Sequence, residues 1–319
     1  MRLTTPLGWA ASRWALHDRA LRWSTTAALV VSVLIVLGGG VVRVTGSGLG
    51  CPTWPTCDGS SLTPIPELGI HGVIEFSNRL VTVLLIVAVG WAIIAARLQR
   101  PRDRALTRLA WSMFWLVVVN AVAGGITVLV KLNPWVVAFH FVLAMALLAT
   151  ATLTWHRARW RGERGAPVAP SARLIGWLVV VLAAALVVIG TIVSGAGPHS
   201  GDSRDVPRIG LDWTNVVWVH GALAVIVIVL AVVTIVAVPS ARRRGITLLV
   251  VLLLQGVIGV VQSVTALPEL LVALHLLGAA LVWVGAIRVL LDADPALFAL
   301  RTPIAQPATP TQPQSSGAR

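Results

Sequence analysis

Long apolar runs recur along the whole chain, and they limit its possible folds more than any other feature. They lie at about 24–45, 72–96, 106–130, 135–156, 173–195, 214–238, 246–266 and 269–291. Each run is long enough to cross a bilayer as a helix of about 20 residues. Because lipid offers the backbone no hydrogen-bond partners, such runs must be helical. With 57% hydrophobic and only 12% charged residues, the chain is predicted to be an all-α membrane protein with eight transmembrane helices.

The positively charged residues lie mainly in the connections between these apolar runs. Net charge is +13, and the arginines cluster before residue 23 and in the connections at 97–108, 157–173 and 242–244. Basic residues concentrated in alternate connections are typical of loops that stay in the cytoplasm. We therefore expect an integral cell-membrane protein with both termini cytoplasmic. The clusters lie beside membrane ends and lack interleaved aromatic residues, so they favour lipid rather than nucleic acid as the partner.

The chain contains an internal repeat. The segment NAVAGGITVLVKLNPWVVAFH ends at His140, and QGVIGVVQSVTALPELLVALH ends at His275, so the two align without a gap at an offset of 135. An even number of spans per repeat gives both halves the same orientation. We expect two pseudo-symmetric four-helix bundles related by an axis along the membrane normal. The predicted segments are a cytoplasmic tail (1–23), a first half (24–156), a cytoplasmic linker (157–172), a second half (173–291) and a disordered tail (292–319).

Three histidines lie at a common depth. His140, His220 and His275 each follow the outer end of an even-numbered span by about six or seven residues, which is roughly 10 Å at 1.5 Å per residue. A single such histidine is usually polar glue between helices. Three at matched depth on repeated helices favour axial ligands of haem iron. His220 and His275 would form one bis-histidine site, and His140 would be half of the equivalent site in the first half.

The stretch HGVIEFSNRL opens the second span with four polar residues on one helix face. They are His71, Glu75, Asn78 and Arg79, and ionisable groups inside a span are costly and usually functional. Glu75 is a candidate catalytic residue, although Glu75 and Arg79 could equally form a structural ion pair.

Both cysteines of the chain lie in the outer loop after the first span. Cys51 and Cys57 flank a Pro-Trp-Pro turn on the side expected to be oxidising, which favours a disulfide that stiffens a lid over the first-half site. Two unpaired thiols, or a metal site, are less favoured alternatives. The loop after the fifth span is Gly-rich and carries His199; it either covers the edge of the second site or simply connects two helices.

Taken together, these motifs resemble those of the haem A synthase family. They are TGSGLGCPTWPTC at 45–57, EFSNR at 75–79, His140, GPHSGD at 197–202, His220 and His275. The resemblance covers about residues 24–291. One departure is Asn78, which stands where the family motif has a histidine, and asparagine is a poor iron ligand compared with imidazole.

The resemblance implies a membrane enzyme that oxidises the C8 methyl group of haem O to the formyl group of haem A. It implies that His220 and His275 hold a haem B cofactor, that the first half holds the substrate haem, and that Glu75 is essential. The haem O-producing enzyme and terminal oxidase assembly are the expected partners, and the haem sites are expected towards the outer side. His71 is a possible substitute for the missing axial ligand.

Some assignments remain open on the sequence alone. Arg43 and Arg79 are candidates for binding haem propionates through paired hydrogen bonds, but either could be an interfacial arginine that extends towards water. A di-haem b-type electron-transfer protein without substrate chemistry is the main alternative function. The incomplete axial set and the presence of Glu75 disfavour it. A transporter is disfavoured because the spans carry few charges that could bind coupling ions.

Overall fold

The computed structural model describes residues 5–160, 168–199, 201–202 and 206–298. A short helix, α1 (Pro6–Arg13), precedes eight helices that are long and apolar enough to cross a membrane. These are α2 (Asp18–Val44), α3 (Gly69–Arg97), α4 (Arg104–Leu129), α5 (Pro134–Arg157), α6 (Pro170–Ala196), α7 (Trp213–Ala237), α8 (Arg242–Val264) and α9 (Glu269–Ala293). The prediction of an all-α membrane protein with eight transmembrane helices is confirmed.

Several helices extend beyond the apolar runs into segments predicted as tails. Helix α1 and the first turns of α2 fall within residues 1–23, and a 3₁₀ turn at Pro295–Phe298 follows α9. Apolar runs mark only the part of a helix that lies in lipid, so its polar ends are not visible in hydropathy. Residues 161–167 of the predicted linker and 299–319 of the predicted disordered tail lie outside the described residues.

A polar cap defines the start of α4, and an ion pair connects it to the end of α5. The Asp103 carboxylate accepts hydrogen bonds from the N–H groups of Ala105 (2.9 Å) and Leu106 (3.1 Å), which have no partner within the first turn. Asp103 also accepts a hydrogen bond from Nε of Arg157 at the end of α5 (2.6 Å), and the side chain of Arg157 is only 3% exposed. This ion pair joins the two helices at the end opposite the cysteines.

The short turns between α4 and α5 and between α8 and α9 have the same backbone geometry. Lys131 and Leu132 have φ of 53° and 57°, and Ala266 and Leu267, at the offset of 135, have φ of 57° and 58°. Consecutive positive φ values are uncommon outside glycine. In both turns the second residue donates its N–H to a helix carbonyl at 2.8 Å. The internal repeat is therefore visible in backbone conformation as well as in sequence.

Apolar packing is concentrated within α2–α5 (the first half) and within α6–α9 (the second half). The first core includes Leu85, Val89 and Met113, and the second includes Val179 and Val227, all 2% exposed or less. A smaller cluster of residues from α2, α5 and α9 connects the halves. The Trp283 indole N–H also donates to the Met145 carbonyl at 2.8 Å across this contact. Helices α2, α5 and α9 thus pack across the boundary between the halves as well as within them. The arrangement as two bundles related by an axis therefore stays a prediction.

Candidate functional site

Two imidazole rings face each other in the second half. The ring centroids of His220 on α7 and His275 on α9 are 6.3 Å apart, and the ring planes are inclined by 65°. Two imidazole–metal bonds of about 2 Å each, with about 1 Å from each bonded nitrogen to its ring centre, span roughly 6 Å. The separation therefore fits a pair of imidazoles that bind one metal ion from opposite sides. Two rings that share one metal ion can be inclined to each other at any angle, so the inclination of 65° is compatible with this arrangement.

Each of the three predicted histidine ligands packs against a glycine on the preceding helix. A Cβ atom added to Gly124 would lie 3.1 Å from Cε1 of His140. The corresponding distances are 3.3 Å from Gly190 to His220 and 3.5 Å from Gly259 to His275. The missing side chains let the helices approach closely and leave room for the rings. These glycines therefore set the orientation of each imidazole.

The second ring nitrogen of these histidines is shielded from solvent. None of the Nδ1 atoms of His140, His220 and His275 makes a well-formed hydrogen bond, and all three are buried. Imidazoles that bind metals commonly use their other nitrogen on a backbone carbonyl, which leaves Nε2 for the metal.

Asn78 on α3 makes the same kind of contact with a glycine. Its side-chain oxygen Oδ1 lies against Gly38 of α2, is buried, and has no hydrogen-bond partner. The contact, rather than a gapless alignment, relates Asn78 to the three histidines. Four helices thus present a polar side chain to a glycine of the preceding helix, and only α3 presents an amide instead of an imidazole.

Both carboxylate oxygens of Glu75, one turn before Asn78, accept hydrogen bonds. The side chain is buried, with the residue 6% exposed. Its Oε2 accepts a hydrogen bond from the Cys51 N–H at 2.7 Å, and its Oε1 accepts one from the Arg79 guanidinium at 2.6 Å. The ion pair considered in the sequence is therefore present. Glu75 is also tied to the loop that carries the cysteines, which spacing on a helix could not reveal.

The guanidinium of Arg79 is surrounded by the carbonyl groups of that loop. It donates to the carbonyls of Thr53 and Thr56 at 3.1 Å, Pro55 at 3.3 Å and Cys51 at 3.4 Å. These contacts occupy the donors that a haem propionate would need. A propionate role for Arg79 stays a prediction, and the contacts of this structure assign it to holding the loop.

The loop itself is closed by a disulfide between Cys51 and Cys57, as predicted. Both residues are fully buried. The indole of Trp54 packs on Gly125 of α4, directly beside the glycine that faces His140. Next to the disulfide, the N–H groups of Ser61 and Ser60 donate to the Asp58 carboxylate and hold the pKa of Asp58 below its ordinary value. The loop is therefore a folded lid placed over α3 and α4.

The other predicted polar residues lie nearer the ends of the helices. Nδ1 of His71 lies 2.9 Å from the Ser47 hydroxyl. The guanidinium of Arg43 donates to the Ser194 carbonyl at 2.7 Å, while its Nε is buried without a partner. The role of Arg43 as a propionate ligand and that of His71 as an iron ligand both stay predictions.

Contacts between the loop after α2 and the loop after α6 join the halves at the end that carries the disulfide. Ser47 and Asp202 form an isolated β-bridge, and the Gly48 N–H donates to the Gly201 carbonyl at 2.7 Å. The Leu49 N–H donates to the Asp202 carboxylate at 3.2 Å. His199 places Nε2 2.8 Å from the Leu267 carbonyl, in the turn before α9. The second loop is thus fixed over the helix that carries His275.

Comparison with known proteins identifies the family. The family model for cytochrome oxidase assembly protein, COX15-CtaA, matches residues 22–287 of the chain. The chain belongs to the haem A synthase family. The matched residues contain every predicted site residue, from Arg43 in α2 to His275 in α9.

Individual family members show modest identity. Heme A synthase of Lysinibacillus sphaericus is 32% identical over 138 residues, which make up 43% of this chain and 44% of that protein. That of Staphylococcus epidermidis is 27% identical over 228 residues, 67% of this chain and 74% of that protein. That of Staphylococcus saprophyticus is 25% identical over 281 residues, 81% of this chain and 90% of that protein. The chain thus spans less than half of the first relative and most of the other two.

The donor sets of this haem A synthase family member fit haem better than a bare metal ion. Among the described residues, no group of three or more histidine, cysteine or acidic side chains could hold a metal ion. Iron in haem needs only one or two protein ligands, because the porphyrin supplies the rest. The pair His220–His275 has the separation and the buried second nitrogens that such a group requires.

Two polar residues of the family member were missed by the sequence reasoning. Asn120 on α4 and Gln255 on α8 lie at the offset of 135, each one turn before the glycine that faces a histidine. The side-chain oxygen of each is buried without a partner. They are the first residues of the two repeated segments. An amide at the same position in two apolar spans was therefore the sequence signal that could have identified them.

Proposed function

We propose that this protein is a haem A synthase that oxidises the C8 methyl group of haem O to the formyl group of haem A. One observation carries the proposal: the two halves have unequal donor sets at matched positions. The second half has two imidazoles, His220 and His275, at a separation that suits one iron. The first half has one imidazole, His140, together with the buried carboxylate of Glu75. One half suits a permanent cofactor, and the other suits a substrate that must leave.

In the second half, His220 and His275 would hold haem B as its two axial ligands. When bound, haem B supplies one-electron oxidation and reduction. The protein orients the imidazoles through Gly190 and Gly259, and the loop fixed by His199 covers the same end. Two strong nitrogen ligands favour a haem that stays bound and changes little on electron transfer.

In the first half, His140 would bind haem O, with its methyl group near Glu75. Conversion of a methyl group to a formyl group, through an alcohol, consumes one water and releases four protons and four electrons, and the electrons must pass to an external oxidant. Glu75 would accept a proton or stabilise positive charge that develops on the methyl carbon. The Cys51 N–H and the Arg79 guanidinium fix both carboxylate oxygens, so the carboxylate is oriented before the substrate arrives. The lid that carries Trp54 would limit access of bulk water.

The proposal includes the placement of the protein in the cell. The distribution of arginines supports cytoplasmic termini, which places the lid and the haem sites towards the outer side. The haem O-producing enzyme would supply the substrate, and terminal oxidase assembly would consume the product.

Incubation of the purified protein with haem O tests the proposal. We expect a formyl haem, identified by mass and by its pyridine haemochrome spectrum. Glu75→Gln keeps the size of the side chain and its contact with Cys51 but removes the charge. This variant should bind haem and lose turnover by at least about 100-fold, the lower end of the usual range for a group that transfers a proton. A wild-type protein that returns haem O unchanged under oxidising conditions, with both haems bound, would instead indicate a di-haem electron carrier.

A further inference from the structure

The position of Asn78 distinguishes the first half from the second. On α5, α7 and α9, a histidine contacts a glycine of the preceding helix through its ring. On α3, Asn78 makes the equivalent contact with Gly38 through its amide oxygen. Three of these four equivalent positions carry an imidazole, a side chain that can bind iron. The fourth, Asn78, does not carry one.

The side chain of Asn78 is too short and too weak a donor to replace imidazole. An amide carries its oxygen closer to the backbone than histidine carries Nε2, and neutral oxygen donors bind haem iron poorly compared with nitrogen. Its Oδ1 is nevertheless buried without a hydrogen-bond partner. A buried acceptor without a partner is unusual in a folded protein. The amide oxygen is therefore not committed to another polar group of the described residues.

Neighbouring residues on α3 are already engaged. His71 lies seven residues earlier, about 10 Å along the helix, and its Nδ1 contacts the Ser47 hydroxyl. Both carboxylate oxygens of Glu75 accept hydrogen bonds from Cys51 and Arg79. Neither residue reaches the position that Asn78 occupies opposite Gly38. The structure offers no second protein ligand at this place among the polar residues of α3.

The geometry points to Asn78 as the residue that keeps one axial position of the substrate haem iron open. His140 would supply the one protein bond to the iron, and the place that an imidazole on α3 would fill would stay free for a small exogenous ligand. The inference rests on the proposed function, because it assigns the first half to haem O. Its consequence is a haem held by one protein bond, which can be released after oxidation, whereas the haem between His220 and His275 stays.

Carbon monoxide titration of the full-length, haem-loaded, reduced protein tests this. We expect one carbon monoxide per two haems in the reduced wild type, and one high-spin and one low-spin ferric signal by electron paramagnetic resonance in the oxidised wild type. In Asn78→His, carbon monoxide affinity should fall by at least about tenfold, and both haems should be low-spin. The reciprocal variant His220→Asn should open the second half and give two carbon monoxide molecules per two haems.

Two further measurements keep the inference testable if Asn78→His does not fold. His140→Ala should abolish carbon monoxide binding while the low-spin signal remains, and imidazole should convert the wild-type high-spin signal to low-spin. A wild type whose two haems are both low-spin and inert to carbon monoxide would overturn the inference. So would an unchanged affinity in a folded Asn78→His variant. Formyl haem formation is measured separately: product formed by a protein inert to carbon monoxide refutes the open position alone, and carbon monoxide binding without product refutes the proposed reaction alone.

Discussion

Replacing Arg79 by alanine is expected to release the disulfide lid from α3. The guanidinium of Arg79 pairs with Glu75 at 2.6 Å and donates to the loop carbonyls of Cys51, Thr53, Pro55 and Thr56. The change removes all of these contacts at once. It leaves a buried carboxylate with the Cys51 N–H as its one remaining partner among the contacts described above.

The size of the effect follows from the burial of this pair. The side chains of Arg79 and Glu75 are 23% and 8% exposed, so water replaces the lost partner poorly. Removing one member of a buried ion pair costs about 3–5 kcal/mol. Since about 1.4 kcal/mol is a factor of ten, the closed state of the lid should lose a factor of roughly 10² to 4 × 10³ relative to open states. Folding of the helices should be affected less, because their cores do not include Arg79.

Hydrogen exchange followed by mass spectrometry measures the opening of the lid. In Arg79→Ala, peptides that cover residues 51–57 should exchange about 100-fold faster or more, while peptides of α4 and α9 should be unchanged. Arg79→Lys keeps the charge but offers fewer directed donors, so it should lie in between. Arg108→Ala, at an exposed arginine of α4, is the matched control and should leave the lid as in the wild type.

A lid that exchanges at the wild-type rate in Arg79→Ala would refute this reasoning. The disulfide and the Trp54 contact alone would then hold the loop. Faster exchange everywhere in the protein would instead show that Arg79 supports the whole fold and not the lid.

Three further substitutions test other contacts. Gly124→Val should crowd the ring of His140 at a cost of about 1–3 kcal/mol and lower haem content by half, with the second-half haem retained; full haem content by pyridine haemochrome would contradict this. Arg157→Ala should destabilise the protein by about 2–3 kcal/mol, near the lower end for a broken buried pair because Asp103 is partly exposed; an unchanged thermal midpoint in detergent would show that the pair contributes nothing. Trp283→Phe removes one hydrogen bond between the halves and should cost about 1 kcal/mol in the same assay, with haem content unchanged as the control.

The number and order of the helices could be read from the sequence because the bilayer requires long apolar runs. The position of each histidine in its apolar run predicted a common depth for His140, His220 and His275, and the structure places the ring centroids of the last two 6.3 Å apart. The helix count and the histidine depth both rest on local periodicity and on internal repetition, which can be read directly from the sequence. The disulfide between Cys51 and Cys57 followed from their spacing and from the side of the membrane on which they were placed.

Contacts made by the loops could not be obtained in this way. The spacing of Glu75 and Arg79 on a helix shows that they can pair, but not that Arg79 lies inside a ring of carbonyls. The return path of a loop depends on tertiary packing, such as the indole of Trp54 against Gly125. Short helix α1 was missed for a different reason: its eight residues are too few to give an apolar run.

The strand-like pairing of Ser47 with Asp202 has a mechanical consequence. Gly48 and Leu49, in the loop that carries the disulfide, donate to the Gly201 carbonyl and the Asp202 carboxylate in the loop after α6. Neither loop can move away from the other without breaking these hydrogen bonds. We therefore expect a displacement of one loop to be transmitted to the other.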